Sequence, residues 1–416
     1  MARETKTGGR DATTALIPGN VGVSVGHPHT EPPKGFEWRL LSDLARLESG
    51  HTPSRSKGEY WGGGIPWIGI RDASGNHGKT IFDTEQHVSQ MGLDNSSARL
   101  LPANTVCLSR TASVGYVVTM GRPMATSQDF VNWVCGPNLD HRYLHYLLMS
   151  EQEMIRRVAY GSVHPTLYYP DAKALHVCVP HVAVQRAVAE VLGALDDKIA
   201  ANDRVVTAAD SLAEALTLRS LSGETVPLSE AAFVTMGSSP PGTSYNEDGV
   251  GVPFYQGVRD FGVRFPSLRV WTTAPVRMAA KDDTLLSVRA PVGRTNLANE
   301  ELCLGRGVAG LRSQAGRPMT LFHQVRAARA AWAPYEAEGT VFGAINKSQL
   351  EAIELPAIDS AYADALEEQL RAIESHIAAT LSESDRLAQT RDALLPLLMS
   401  GKVRVKDAEE LVSSGT

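Results

Sequence analysis

The sequence predicts an α+β protein built twice over, as two similar globules each followed by one long helix. Three observations carry that prediction. The chain repeats itself at an offset near 178 residues, each copy opens with short β-rich runs broken by Gly and Pro, and each then shifts to an apolar period of three and four. Among the 416 residues 43% are hydrophobic, which at roughly 150 residues per domain allows two or three domains with real cores.

The repeat can be followed residue by residue. Leu41-Ser42-Asp43, Gly50, Pro53, Ile65-Pro66-Trp67 and Arg71-Asp72 return as Leu228-Ser229-Glu230, Gly237, Pro240, Val252-Pro253-Phe254 and Arg259-Asp260, at offsets of 187 to 188. Leu108-Ser109-Arg110 with Val114-Gly115 is answered by Ser287-Val288-Arg289 with Val292-Gly293, which makes Arg110 and Arg289 equivalent. Gly161-Ser162-Val163 is answered by Gly339-Thr340-Val341 at 178. The same offset then holds for Leu195 with Ile373, Ile199 with Ile377, Leu216 with Leu394 and Ser222-Gly223 with Ser400-Gly401. Chance would not hold one offset across both a mixed region and a helix.

Taken in order, residues 1–35 are rich in Gly, Thr and Pro and are expected to form a disordered arm. The first globule covers 36–180, with strands expected at Thr105–Ser109, Tyr116–Thr119 and Phe130–Val134. A long helix over 181–223 follows, because Val184, Val188, Val191, Leu195, Ile199, Asn202 and Val206 fall at steps of three and four. The second globule covers 224–357, with a strand at Thr284–Val288. The second long helix, 358–405, carries Tyr362, Leu366, Leu370, Ile373, Ile377, Leu387, Leu394 and Leu398, and 406–416 form a tail. About forty residues at ~1.5 Å each make each helix ~60 Å long; Gly223 and Gly401 are expected to close them, and Pro396 to kink or end the second slightly early.

With 40 Lys+Arg against 46 Asp+Glu the net charge is −6, which excludes a generic basic nucleic-acid coat. The distribution is uneven. Each globule is neutral, with 13 basic and 13 acidic residues, whereas 181–223 has 4 basic against 6 acidic and 358–416 has 6 against 11. Within the globules, 95–128 holds Arg99, Arg110 and Arg122 without an acid, and 259–294 holds seven basic residues against Asp260, Asp282 and Asp283. Such patches can hold phosphates while the globule stays neutral. No run of ~18 uncharged apolar residues exists and none follows Arg3, Lys6 and Arg10, so no membrane span or signal peptide is expected and the protein should be cytoplasmic. Cys107, Cys135, Cys178 and Cys303 lie far apart without a CxxC pair, and are expected to be small buried hydrophobes.

The catalytic signatures in the chain are incomplete. Gly305-Arg306-Gly307-Val308-Ala309-Gly310 spells GxGxxG, but no strand–helix unit with a distal acid surrounds it. Gly75-Asn76-His77-Gly78-Lys79-Thr80 ends like a phosphate loop, yet Ala73 stands where the first glycine must be. Pro170-Asp171 with Asp196-Asp197-Lys198 imitates a nuclease carboxylate–lysine set, but its second half lies on the amphipathic helix, where a solvated charged face suffices. His141 and His145 stand one turn apart as zinc ligands could, without a third ligand. No Asn-Pro-Pro-aromatic tetrapeptide, which would grip a flipped adenine, occurs. The chain therefore reads as non-catalytic, with no cofactor or metal expected.

Two similar globules suit a duplex whose half-sites share its twofold symmetry. The motifs sharpen this. Ser49-Gly50-His51-Thr52-Pro53-Ser54, Tyr60-Trp61-Gly62-Gly63-Gly64-Ile65-Pro66-Trp67-Ile68, Leu108-Ser109-Arg110-Thr111-Ala112-Ser113-Val114-Gly115 and Thr126-Ser127-Gln128-Asp129 resemble the target-recognition domain of type I restriction-modification specificity (S) subunits. Val252-Pro253-Phe254-Tyr255, Ser287-Val288-Arg289 and Gly305-Arg306-Gly307-Val308 repeat the likeness more loosely, and it covers roughly 36–405. The resemblance implies two target-recognition globules, each reading half of a split, asymmetric double-stranded DNA site. It also implies an antiparallel coiled-coil spacer of the two helices, two docked methyltransferase (M) subunits that methylate adenine, and added restriction/translocase (R) subunits. A tandem-repeat scaffold that binds protein, and an orphan specificity subunit of a methylation-only system, are the alternatives.

Gly50, Pro53, Pro66 and Trp67 are expected to shape turns and core. Polar loop residues are the candidates for DNA contact: Arg55, Lys57, Arg71, Arg110 and Gln128 in the first globule, and Asn246, Gln256, Arg259, Arg289, Arg294 and Arg306 in the second. Arg suits guanine and Gln adenine in the major groove, with a surface or salt-bridge role the alternative for each. Arg110 and Arg289 are assigned to phosphate. Leu195, Ile199, Leu216, Ile373, Ile377 and Leu394 are the helix stripe, meeting each other or a partner helix.

Overall fold

The computed structural model describes residues 16–159, 165–335 and 343–408. They belong to two compact units, one of the residues up to Ile199 together with those from Arg386 onward, the other of Ala200 to Asp385. The repeat anchors Gly161-Ser162-Val163 and Gly339-Thr340-Val341 lie outside the described residues.

The first unit is built on a five-stranded sheet in the order Ala45–Ser49, Phe130–Cys135, Val106–Ser109, Val117–Met120, Lys79–Ile81. Its central strand Val106–Ser109 is buried throughout. Alternation sends Val106 and Leu108 into one apolar cluster with Val117, Val131 and Trp133, and Cys107 into another with Val118, Met120 and Phe130. A sheet covered on both faces reads in sequence as continuous apolar runs, and these are the runs that predicted strands. A three-stranded sheet, Ala125–Thr126, Trp61–Ile68, Gln86–Val88, stands beside it. Cys107 and Cys178 are buried and free, as small hydrophobes.

The arm expected over 1–35 is corrected where it is described. Ile17–Pro18 and Val23–Val25 extend a sheet whose order continues through Leu175–Pro180 to Phe36–Leu40, and Val23 and Val25 are buried. A carboxylate far along the chain holds this segment. Glu151, itself buried, accepts the backbone N–H groups of Asn20 (2.9 Å), Val21 (2.7 Å), Gly22 (2.7 Å) and Val23 (3.1 Å). Glu151→Ala should strand these donors. At about 1–3 kcal/mol for each buried donor left unsatisfied, a loss of roughly 3 kcal/mol is expected, with faster amide exchange at 20–25. Hydrogen exchange and denaturant melts check this; unchanged exchange at 20–25 would refute the clasp.

The second unit repeats the scheme with fewer strands. Ala232–Met236, Val308–Ser313, Thr284–Ser287 and Thr295–Leu297 form one sheet, and Tyr245–Asn246, Trp271–Thr272, Val252–Tyr255, Leu302–Leu304 and Met278–Ala279 another. The counterpart of Leu175–Pro180 is Glu354–Ile358, which among the described residues pairs with Leu221–Pro227 alone. In the first unit the Cys178 N–H donates to Gly22 O at 2.8 Å. Its counterpart is Pro356, which has no N–H, and the Gln324 side chain donates to Pro356 O at 3.0 Å. A proline and a capped carbonyl blunt this edge where the first unit covers its own with a strand.

The long helices run Val182–Arg219 and Ala363–Met399, and each gives residues to both units. In the second unit Asn202 donates to Glu383 (2.8 Å) and Ser384 (3.2 Å), while Ala213 and Leu216 share a cluster with Leu366, Leu370 and Ile373, so the segments pair antiparallel there. In the first unit Leu195 and half-buried Ile199 share a cluster with Leu387 and Leu394, and Asp196 takes Arg391 at 2.6 Å and the Tyr146 hydroxyl at 2.5 Å. Ile377 is fully buried. Of the stripe residues Leu195, Ile377 and Leu394 are buried, and Ile199, Leu216 and Ile373 are half-buried. Two helix ends also differ from expectation. The first helix stops at Arg219, and Gly223 instead lies within Leu221–Pro227, where the register against Glu354–Ile358 shifts. Gly401, at φ +67°, follows the second helix as expected, but Pro396 lies inside its last turn and the helix runs on to Met399.

The second unit holds a buried ion cluster. Arg264, 4% exposed, bonds Asp210 on the first long helix and lies 3.1 Å from Glu374 on the second. Arg326 grips both oxygens of Asp210 at 2.6 and 2.7 Å, and His323 meets Glu374 at 2.8 Å. Arg264 is one of the seven basic residues of the phosphate patch expected over 259–294, and its burial removes it from that patch.

Candidate nucleic-acid interface

In each unit four loops converge through the same backbone bonds. The first follows Ala45–Ser49, or Ala232–Met236. A Cβ on Gly50 would lie 1.9 Å from Ser127 O, and one on Gly237 2.1 Å from Gly305 O, so only glycine permits the approach. His51 N then bonds Thr126 O, and Ser238 N bonds Leu304 O, each at 2.9 Å. Trp67, buried as expected, donates its indole N–H to His51 O at 3.1 Å.

The second loop is the turn that begins at Thr126 or Leu304. Ser127 N bonds Ile68 O (3.0 Å) as Gly305 N bonds Tyr255 O (2.8 Å). The glycine-rich 305–310 run is therefore a tight strand-to-strand turn. Its exposed tip is Arg306, and the matching tip is Gln128. Each is oriented by the loop before it: Thr52 Oγ1 donates to Gln128 Oε1, and Arg306 Nε donates to Ser239 Oγ at 3.1 Å. Thr52 and Ser239 were missed in the sequence, although both stand two residues after the paired glycines.

The third loop corrects one equivalence. Ser109 Oγ donates to Ser113 O and accepts Tyr116 N, as Ser287 Oγ donates to Pro291 O and accepts Arg294 N. Arg110 N bonds Asp129 O where Val288 N bonds Gly307 O, and the bridge Thr111–Thr166 answers Arg289–Ala344. Arg110 is thus equivalent to Val288, and Arg289 to Thr111. Their surroundings differ accordingly. The Arg110 guanidinium donates to Gln128 O (3.1 Å) and Leu167 O (3.3 Å), bracing the Gln128 turn. Arg289 is exposed and lines a cleft of about 190 Å³ with Ser239, Gln256, Gly257 and Arg306.

In the fourth loop the repeated Arg-Asp pair divides its work. Asp72 accepts Gly69 N at 2.9 Å and Asp260 accepts Gln256 N at 3.0 Å, folding the loop, while Arg71 and Arg259 point outward. Arg71 keeps 87% of its side chain exposed, 3.6 Å from Glu85. Arg294 is exposed as well. Arg55 lies 4.0 Å over the Trp61 ring and bonds Gln86 at 2.8 Å, and Lys57 bonds the Tyr60 hydroxyl at 3.0 Å. Asn246 belongs to its own loop: its amide accepts Val250 N and donates to Val250 O. Arg99 is bonded to Glu48 and Arg122 to Gly64 O, so intrachain partners occupy much of the patch over 95–128.

Among the described residues no three or more His, Cys, Asp or Glu side chains are grouped so as to hold a metal ion. His145 is buried against Thr119 at 2.8 Å, with burial pushing its imidazole down to about 4.

Comparison with known proteins identifies the fold's relatives. A family profile described as a type I restriction modification DNA specificity domain matches residues 33–205. A putative type I restriction enzyme MjaX specificity subunit of Methanocaldococcus jannaschii is 26% identical over 417 residues, covering 90% of this chain and 95% of that one. Along most of its length the chain is thus similar to type I restriction enzyme specificity subunits. The EcoR124I/EcoR124II specificity subunit of Escherichia coli is 28% identical over 172 residues, 38% of this chain and 41% of that one. In fold, the crystal structure of the S subunit from M. genitalium matches with a TM-score of 0.59 at 16% identity, covering 87% of this chain and 96% of that one. Each of these relatives is named as a specificity subunit of a restriction enzyme. The profile matched is named for DNA specificity, and the two exposed tips carry unlike side chains, Gln128 and Arg306.

Proposed function

We propose that this chain is a specificity subunit that reads a split, asymmetric double-stranded DNA target, one half-site with the tip of each unit. Two methyltransferase subunits and the restriction subunits assemble around it. The observation that carries this reading is the duplicated tip, which has the same backbone bonds and different exposed side chains. A shared scaffold lets both tips approach DNA alike, and unlike side chains make the half-sites unlike. Arg71, Arg259, Arg289 and Arg294 are the exposed cations suited to phosphate, while Arg110 acts as a brace behind Gln128. The long helices, which give residues to both units, serve as the spacer between half-sites.

Binding of the purified complex with its methyltransferase to duplex DNA across a salt series tests this. Affinity should fall steeply with salt, as it does when cations release phosphate counterions. An absence of DNA binding, with protein partners retained, would favour the protein-binding scaffold instead.

A further inference from the structure

The two tips occupy one place in the repeat, yet one ends in an amide and the other in a guanidinium. Gln128 and Arg306 are exactly 178 residues apart in register, each is exposed, and each is tethered by the hydroxyl of the preceding loop. What the tether leaves unused decides what each can recognise. Thr52 occupies one lone pair of Gln128 Oε1, leaving the second lone pair and both Nε2 hydrogens as an adjacent acceptor and donor. That pattern matches the N6 donor and N7 acceptor of adenine in the major groove. Ser239 occupies Arg306 Nε, leaving the two terminal nitrogens as a fork of donors, which matches the O6 and N7 acceptors of guanine. Gln256 and Arg289 beside Arg306 answer to Gly69 and Thr111 beside Gln128, so these two places carry long polar side chains at the second tip and small ones at the first.

We infer that Arg306 and Gln128 are paired specificity determinants, Arg306 requiring guanine in the half-site of the second unit and Gln128 requiring adenine in that of the first. This rests on the DNA-reading function proposed above.

Selection of bound duplexes from a randomised pool by the purified complex, followed by sequencing, tests it with Arg306→Gln, Gln128→Arg and Ser239→Ala. Arg306→Gln should change one position of one half-site from guanine to adenine, with a swing of roughly tenfold or more, and leave the other half-site as it was. Gln128→Arg should do the reverse in the other half-site. Ser239→Ala should weaken the guanine preference at that same position only. If the parent complex selects a split site but Arg306→Gln keeps its guanine and merely lowers the salt slope, Arg306 is a phosphate contact and the inference is overturned while the DNA-reading function stands. A parent complex that selects no sequence would overturn both.

Discussion

Replacing Asp210 by alanine should cost the second unit about 3–5 kcal/mol, the largest single loss expected of any charged residue here. Asp210 is the counter-ion of both Arg264 and Arg326, and Arg264 is 4% exposed, so its removal leaves a guanidinium buried beside Glu374 alone. Burial alone would raise the Asp210 carboxyl, but the hydrogen bonds from Arg326 and Arg264 outweigh it and hold the group well below the usual carboxylate range. The sign of the pH dependence follows. A depressed carboxylate contributes stability above its unfolded value near about 4 and loses it as pH falls through the lower folded value. Asp210→Ala should therefore be less stable at neutral pH and show a shallower loss below about pH 4 than the parent. His145 adds a separate acid-side loss, since the unfolded chain takes a proton from about pH 6.5 downward that the buried imidazole refuses until about 4. Urea melts across pH 3–8 measure both; a parental acid slope in Asp210→Ala would refute the assignment.

Ile377→Asp should cost about 4 kcal/mol or more, because Ile377 is fully buried and a carboxylate placed there has no ionic partner. Ile199, at the equivalent repeat position, is only half-buried, and Ile199→Asp should cost clearly less. The pair is its own control. Both stripe positions pack within the chain, so loss of co-purifying methyltransferase should follow the loss of stability, Ile377→Asp losing more than Ile199→Asp. Equal small losses, below about 1 kcal/mol each, would show that burial of the stripe is not what holds the helices.

What the sequence disclosed, and what it hid, divides by how local the determinant is. The strands at Val106–Ser109 and Phe130–Cys135 and the two long helices were legible because their apolar periods lie within a few residues. The strands Ile17–Pro18 and Val23–Val25 were not, since two- and three-residue strands carry no period and Glu151, which holds the segment, is more than a hundred residues away. Arg264 counted as surface charge because its partners, Asp210 and Glu374, lie on the long helices. The site was legible as loops but not in register. Matching Arg110 to Arg289 by residue type slips the alignment by one, and the bonds of Ser109 and Ser287, with the Thr111–Thr166 and Arg289–Ala344 bridges, fix it. Arg110 reads in sequence as a phosphate contact because the carbonyls it engages, of Gln128 and Leu167, lie 18 and 57 residues further on. Thr52 and Ser239 follow Gly50 and Gly237 at fixed spacing, a signal present in the sequence and unused.

Central to this account is that the two units read two different half-sites. Mapping methylated adenines across the source genome, with and without this gene, tests that most directly. The expected result is a motif of two unlike half-sites separated by unspecified bases, which disappears when the gene is removed. A continuous or palindromic motif, or a methylation pattern unchanged by the deletion, would contradict it.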